Sequence, residues 1–198
     1  KFDGISLEAV YEEGRLVRAT TRGDGHEGDD VTAQVRRIPA IPLRLRGDPP
    51  ELLAVRGEVF MPKDAFREHN RQRIEAGDEP FANPRNATAG TIRQLDPSVV
   101  ADRPLDCFVY GIMAFEDPTQ GRPPTQWAEL DAFRKWGFHV DDRAERVDDI
   151  EAAIEYREEL VADREELNYE VDGVVIKVDD IAACEELGNT ARATRSAF

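Results

Sequence analysis

Hydrophobic and polar positions alternate in several short segments, and this two-residue period is typical of strands with one buried face. The predicted strands are residues 5–10, 15–19, 52–60, 105–113 and 169–178, of which the last has the strongest pattern. Glu13 and Gly14 predict a turn between the first two strands.

Helices are predicted between these strands from capping residues and from a longer hydrophobic period. They run from Pro62 to Gly77, within residues 83–94, from Thr125 to Gly137, onward from Asp148, and from Asp180 to Gly188. The helix after Asp148 is predicted to bury a stripe of Ile150, Ile154 and Val161. Because the elements do not alternate strictly as βαβ units, the predicted class is α+β, with largely antiparallel sheets flanked by helices.

The chain is strongly acidic, with 41 acidic and 26 basic residues, a net charge of -15 and few lysines. Taken alone, this balance argues against nucleic-acid binding, since phosphate contacts need Lys and Arg. Net charge describes the whole surface, however, and a binding site is local. The composition resembles that of proteins adapted to high salt, so we expect a halophilic source; the alternative is an ordinary acidic bacterial protein.

No apolar run approaches the length that would span a bilayer, and no signal peptide is visible, so a cytoplasmic protein is expected. Cys107 and Cys184 stand alone and are interpreted as core residues, neither disulfide-bonded nor metal ligands. The chain opens on Lys1, and the pattern at Phe198 has not ended. We therefore expect one domain, residues 1–198, truncated at both ends.

The first candidate for chemistry is the segment Lys1-Phe2-Asp3-Gly4. Residues two apart in a strand share a face, so Asp3 could orient the amino group of Lys1. A nucleophilic lysine must lose its proton, which requires a special environment. Taken alone, these four residues favour an ordinary exposed terminal lysine over a nucleophile.

Two further segments combine charge with a constrained backbone. Three glycines lie within six positions after Arg22, which predicts a close backbone approach to phosphate or ribose; a surface turn is the alternative. Arg56 and Glu58 place opposite charges in an apolar strand, where charge is costly unless paired or used. Because they share one face, an ion pair between them is the structural alternative.

The last two candidate segments carry arginines and a charged strand. In residues 81–96, small residues surround Arg85 and Arg93, which suits phosphate binding, although a capped surface helix is the alternative. Ideal alternation places Asp172 and Lys177 on opposite faces of the predicted strand 169–178. Gly173 could host a bulge or bend that redirects one of them.

Individually these signals are weak, but their order and spacing resemble the adenylation domain of NAD-dependent DNA ligases over nearly the whole chain. The matching stretches are KFDG, TRGDGHEGDDVT, VRGEVFMP, FANPRNATAGTIRQLDP, RPLDCFVYGI, YEVDGVVIKVDD and EELGNTARATR. VRGEVFMP and FANPRNATAGTIRQLDP are typical of the NAD-dependent branch. They distinguish it from ATP-dependent polynucleotide ligases and capping-type nucleotidyltransferases, which are the nearest alternatives.

The resemblance implies a nucleotidyltransferase core, similar to ATP-grasp folds, and a three-step reaction. Lys1 attacks the α-phosphorus of NAD, nicotinamide mononucleotide leaves, and AMP remains on the lysine. AMP then passes to the 5′-phosphate of a nick, and the 3′-hydroxyl displaces it. NAD and Mg²⁺ are the implied cofactors, with Zn²⁺ in a zinc-finger segment outside this chain. Nicked double-stranded DNA is the implied partner of a monomeric, non-membrane enzyme whose full activity needs flanking domains.

The resemblance also implies a role for individual residues. The roles are nucleophile for Lys1, orientation for Asp3, nucleotide contact for Arg22, ribose binding for Glu58, the adenine pocket for Lys177, metal association for Asp172, and phosphate contacts for Arg85, Arg93 and Arg164. Two family features, a glutamate before the nucleophile and a later phosphate-binding lysine, are expected outside residues 1–198. A non-catalytic binding module is a further alternative, but it would be expected to have lost Lys1, Glu58 or Lys177.

Overall fold

The computed structural model describes residues 1–23, 28–188 and 196–197. Its centre is a four-stranded antiparallel sheet in the order β2-β1-β3-β4. The strands are β1 (Ile5–Glu12), β2 (Arg15–Thr21), β3 (Leu52–Phe60) and β4 (Asp106–Glu116). The mixture of this sheet with helices confirms the predicted α+β class.

Seven helices and one 3-10 turn surround the sheet in the described part of the chain. They are α1 (Thr32–Val35), α2 (Lys63–Glu75), α3 (Pro84–Ile92), α4 (Ser98–Ala101), α5 (Gln126–Trp136), α6 (Ile150–Ala162), the 3-10 turn (Arg164–Glu166) and α7 (Ile181–Leu187). The side chains of Asn83, Thr125, Asp149 and Asp180 each accept a backbone N–H from the first turn of a helix. These caps explain where α3, α5, α6 and α7 begin.

One face of the sheet is packed and the other is partly open. On β1, Leu7, Ala9 and Tyr11 alternate into the main hydrophobic core, where the Tyr11 ring packs against Phe138, just after α5. The opposite face presents Ser6 and Glu58, which are register partners on neighbouring strands and only partly buried. This open face is where a ligand can reach the sheet.

Residues 169–178 do not form the predicted strand. The segment makes only isolated antiparallel bridges, from Val171 to Phe2 and from Lys177 to Ala197. Between them Gly173 adopts φ +152°, which turns the backbone away from a continuous ladder. The sequence of this segment does alternate, but among the described residues no neighbouring strand forms a continuous hydrogen-bond ladder with it.

The prediction for α6 was wrong in its start and in its buried face. Asp149, not Asp148, caps the helix. Ile150, Ile154 and Val161 are 56%, 48% and 59% exposed, whereas Ala153 is buried. The helix turns inward the face that carries Ala153, Tyr156 and Leu160, whose spacing also fits one helical face. Periodicity alone did not decide between the two faces.

The acidic surface leads to a prediction about salt. Acidic side chains lie next to each other in exposed positions, for example Glu165 with Glu166 and Asp148 with Asp149. Raising ionic strength from 0.1 M to 1 M shortens the screening length from about 10 Å to about 3 Å, which weakens their mutual repulsion. We expect the melting temperature to rise by several degrees, at about 2–4 °C per kcal/mol gained.

Thermal melting across a KCl series, repeated with NaCl, measures this effect. Equal responses to the two salts would identify charge screening as the cause. A melting temperature that stays flat or falls between 0.1 M and 1 M would contradict the interpretation of the surface as adapted to salt.

Candidate functional site

A cleft of about 890 Å³ lies between the open face of the sheet and the segment around residues 169–179. Its size is that of pockets which bury small-molecule ligands. Six residues singled out from the sequence line it: Lys1, Arg22, Glu58, Arg85, Arg93 and Lys177. The fold therefore gathers in one place side chains that are up to 176 positions apart in the sequence.

Lys1 is held at the cleft by a short antiparallel pairing. The N–H of Asp172 donates to the carbonyl of Lys1 at 2.9 Å, and the N–H of Asp3 donates to the carbonyl of Glu170 at 2.9 Å. Across this pairing the Lys1 Nζ donates to Asp172 Oδ2 at 2.8 Å. The Lys1 side chain is 60% exposed, so the amino group stays accessible to a ligand.

The carboxylate in contact with Lys1 is thus Asp172, while Asp3 has a different partner. Hydrogen bonding from Lys1 lowers the pKa of Asp172, so this carboxyl group is ionised at neutral pH. Asp3 Oδ1 accepts a hydrogen bond from Arg85 Nη1 at 2.9 Å. Asp172 and Asp3 are therefore both engaged with cations.

Gly4 and Glu58 are in close contact, which explains the glycine beside Lys1. The N–H of Gly4 donates to the Glu58 carboxylate. A Cβ atom at Gly4 would lie 2.3 Å from the carbonyl oxygen of Val59, a distance that no real side chain tolerates. Only glycine lets the first segment approach β3 closely enough to place Lys1 beside Glu58.

Burial raises the pKa of Glu58 to about 7, with the nearby Arg85 opposing the shift. Glu58 therefore changes its charge near neutral pH. The expected alternative partner, Arg56, lies 3.6 Å from Glu8, its cross-strand neighbour on β1. Glu58 is not neutralised by Arg56 and faces the cleft.

Lys177 lies at the opposite wall of the cleft. Its Nζ donates to the carbonyl of Tyr110 at 2.9 Å and to Gln126 Oε1 at 3.4 Å. The same Nζ lies 5.4 Å from the centre of the Tyr110 ring. Burial lowers the pKa of Lys177, and the negative charge of Glu129 opposes that shift. Lys177 lines the cleft, whereas Asp172 contacts Lys1 but is not among the described lining residues; between them the backbone at Gly173 has φ +152°.

The arginines occupy different positions around the site. Arg22, Arg85 and Arg93 line the cleft. Arg164, in the 3-10 turn, is not among the described lining residues and lies 3.6 Å from Glu170. Asp24 and Gly25 of the glycine-rich segment, and residues 189–195 of the last matching stretch, lie outside the described residues.

Tyr110 and Gln126, the two lining residues that accept hydrogen bonds from Lys177, were not singled out from the sequence. Tyr110 follows Phe108 by two positions on β4, so it shares the open face on which Phe108 is the register partner of Glu58. Strand parity could have identified it. Gln126 is the first residue of α5, and no pattern in the sequence marked it as close to Lys177.

The donor set fits a metal ion only in part. Among residues 1–23, 28–188 and 196–197, no group of three or more His, Cys, Asp or Glu side chains could hold a metal. A Mg²⁺ ion bound mainly through substrate phosphates needs only one or two carboxylates, and the ionised Asp172 can supply one. Cys107 and Cys184 are free thiols. Within the described chain, no helix is long and apolar enough to cross a membrane.

Fold and cleft together define an α+β domain with a lysine exposed in a pocket of nucleotide size, surrounded by arginines. The whole chain, residues 1–198, matches the family described as the NAD-dependent DNA ligase adenylation domain. The chain belongs to this family.

Curated relatives agree with that assignment. The chain is 63% identical over 198 residues to a DNA ligase of Natronomonas pharaonis and 58% identical over 198 residues to one of Haloferax volcanii. It is 50% identical over 199 residues to a DNA ligase of Halorhodospira halophila. In each case all of this chain is covered but only 28% of the relative. The relatives include halophilic archaea, in keeping with the acidic composition.

Proposed function

We propose that this chain is the part of an NAD-dependent DNA ligase in which Lys1 accepts AMP from NAD. The observation that carries the proposal is the position of the Lys1 amino group, exposed in a cleft that also contains Glu58, Lys177 and three arginines. A nucleotidyltransferase core of the ATP-grasp type is part of this proposal. So are catalysis by the whole ligase, its cytoplasmic location and its monomeric state.

The first step forms a bond between Lys1 Nζ and the α-phosphorus of NAD. The phosphoanhydride bond breaks, nicotinamide mononucleotide leaves with the electron pair, and Lys1 gives up a proton. The hydrogen bond to Asp172 favours the charged ammonium, so Lys1 must lose this partner, or its proton, before it attacks. A Mg²⁺ ion held through Asp172 would supply neutralisation of phosphate charge.

The remaining cleft residues bind the parts of the nucleotide. Glu58 is suited to accept hydrogen bonds from ribose hydroxyls, and Lys177 to donate to the adenine base. Arg22, Arg85 and Arg93 neutralise phosphate oxygens, and Asp3 holds Arg85 in place by its 2.9 Å hydrogen bond. Arg164, at the edge of the site, is proposed to contact phosphates of NAD or of the nick.

The later steps transfer AMP to the 5′-phosphate of nicked double-stranded DNA and seal the nick with the 3′-hydroxyl. They are phosphoryl transfers, in which charge stabilisation dominates. Because the chain spans only 28% of the length of its relatives, the DNA contacts and the Zn²⁺ site of the whole ligase are proposed to lie mostly outside it.

The experiments use the parent chain, by which we mean the whole ligase that is proposed to contain residues 1–198. Mass spectrometry of the parent chain after incubation with NAD tests this function. We expect a mass gain of one AMP, located by peptide mapping at Lys1. A parallel incubation with ATP separates the alternatives, since an adduct from ATP but not from NAD would assign the protein to the ATP-dependent branch. No adduct from either nucleotide would indicate a non-catalytic module.

Glu58 gives a prediction about pH. With a pKa of about 7, its carboxyl is about one-tenth ionised at pH 6 and about nine-tenths ionised at pH 8. If the ionised form accepts the ribose hydroxyls, adenosine affinity in the parent chain should rise about tenfold over this interval, as measured by calorimetry. Adenosine is the suitable probe because it has no phosphate that titrates.

The Glu58→Gln variant is the control for this titration. It keeps an acceptor oxygen but cannot ionise, so its adenosine affinity should stay constant between pH 6 and pH 8. The same pH dependence in the variant as in the unmodified chain would assign the effect to another group.

A further inference from the structure

The first turn of α5 is fastened to the segment that carries Lys177. The N–H of Gln126 donates to the carbonyl of Asp179 at 2.7 Å, and the N–H of Trp127 donates to Asp179 Oδ1 at 2.9 Å. On the other side, the N–H of Ile181 donates to the carbonyl of Pro124 at 3.1 Å. These bonds fix the start of the helix relative to Lys177, two residues before Asp179.

Asp179 links the first turn of α5 to the segment that carries Lys177 through hydrogen bonds. The helix already has its own cap, because Thr125 Oγ1 accepts the N–H of Ala128 at 3.0 Å. Asp179 accepts two further N–H groups at the helix start, that of Gln126 with its carbonyl and that of Trp127 with its carboxylate. Its other oxygen, Oδ2, lies 3.1 Å from Arg146 Nε, an ion-pair contact without hydrogen-bond geometry, and this buried oxygen has no hydrogen-bond partner among the described residues.

These hydrogen bonds to Asp179 place Gln126 next to the amino group of Lys177. A lysine ammonium has three N–H donors and no acceptor. One points to the carbonyl of Tyr110 on β4 at 2.9 Å, and a second to Gln126 Oε1 on α5 at 3.4 Å. All three residues line the cleft, and within residues 1–23, 28–188 and 196–197 no further acceptor contacts the Lys177 Nζ. The third donor is therefore open to a ligand.

We propose that Gln126 is a positioning residue for Lys177: together with the Tyr110 carbonyl, it aims the remaining N–H of the ammonium at the base of the bound nucleotide. This inference rests on the proposed function. The neutral amide accepts a hydrogen bond without forming an ion pair. Glu129, one turn further along α5, is already paired with Arg122 at 2.7 Å, so it does not draw the ammonium away from the cleft.

The variants Gln126→Met and Gln126→Glu in the parent chain test this role. Methionine keeps the length and removes the acceptor, so the KM for NAD in adduct formation should rise about tenfold, while kcat changes less than about twofold. Glutamate keeps the acceptor and should hold the KM within about threefold of the unmodified value. Gln72→Met on the exposed face of α2 is the matched control and should leave both constants unchanged.

Competition experiments identify which half of NAD is affected. In Gln126→Met the inhibition constant of adenosine should rise with the KM, whereas that of nicotinamide mononucleotide should not. The melting temperature should stay within about 2 °C, because the bonds to Asp179 use the backbone of α5 and survive the substitution. A KM for NAD equal to that of the unmodified chain, or equal losses in the Met and Glu variants, would overturn the proposal.

The unmodified parent chain separates this inference from the proposed function. If it gains no AMP from NAD, the proposed function fails whatever Gln126 does. If it gains AMP at Lys1 and Gln126→Met behaves like Gln72→Met, only the role of Gln126 is refuted.

Discussion

Replacing Lys1 with arginine in the parent chain is expected to abolish the AMP adduct, although the positive charge is kept. A guanidinium does not lose its proton at any physiological pH, so it cannot supply the nitrogen lone pair that attacks phosphorus. Lys1→Ala should fail equally. Removing a nucleophile lowers the rate by about 10⁴-fold or more, and mass spectrometry after incubation with NAD measures the loss directly.

Two controls show whether the loss belongs to the first step alone. Lys135→Arg, on the exposed surface of α5, should leave adduct formation unchanged. Sealing of a nick that already carries AMP should survive in part in Lys1→Arg, because that step needs no nucleophilic lysine. An AMP adduct on Lys1→Arg would show that another residue is the nucleophile.

Local signals in the sequence predicted most of the elements correctly. The strand at residues 52–60 has the predicted bounds, because its alternating apolar residues face the packed core. Thr125 was predicted as a helix cap and Asp180 as the start of a short helix, and the side chain of each accepts a backbone N–H from the first turn. Such features depend on neighbours within a few positions, which is why they can be predicted from one sequence.

The failures occurred where distant parts of the chain decide the outcome. Residues 169–178 alternate like a strand, but whether a strand forms depends on a partner that the sequence does not specify. Two faces of the α6 helix have apolar residues at helical spacing. In the structure the face around Ala153 is turned inward, towards the cleft. In both cases tertiary packing overrides a local pattern.

The site shows the same limit. The resemblance to a family identified Lys1, Glu58 and Lys177 as belonging together, and the fold places all three at one cleft. The particular contacts were not predictable. Asp172, rather than Asp3, contacts Lys1 from 171 positions away. Gln126 reaches Lys177 only because Asp179 fastens α5, and no spacing in the sequence encodes that contact.

The second large effect is expected from Arg122→Ala, which should lower the stability of the fold because it leaves the buried carboxylate of Glu129 without its cation. Glu129 is only 1% exposed, and its Oε1 accepts hydrogen bonds from Arg122 Nε at 2.9 Å and Nη2 at 2.7 Å. Without Arg122, the one hydrogen bond to the carboxylate that remains within the described part of the chain is that from the N–H of Ile112, at 3.3 Å. Since the Arg122 side chain is 34% exposed, we expect the free energy of unfolding to fall by about 3 kcal/mol, the lower end of the range for breaking a buried ion pair.

The melting temperature of Arg122→Ala should accordingly fall by about 6–12 °C. Arg134→Ala, on the same helix as Glu129, is the matched control, because it breaks an exposed pair with Asp131 at 3.2 Å and should cost less than about 0.5 kcal/mol. The double variant Arg122→Met, Glu129→Met removes both charges and should recover most of the lost stability, since no buried carboxylate is left unpaired. Equal melting temperatures for Arg122→Ala and Arg134→Ala would contradict this explanation. So would a double variant that is no more stable than Arg122→Ala, because the loss of stability would then not come from an unpaired Glu129.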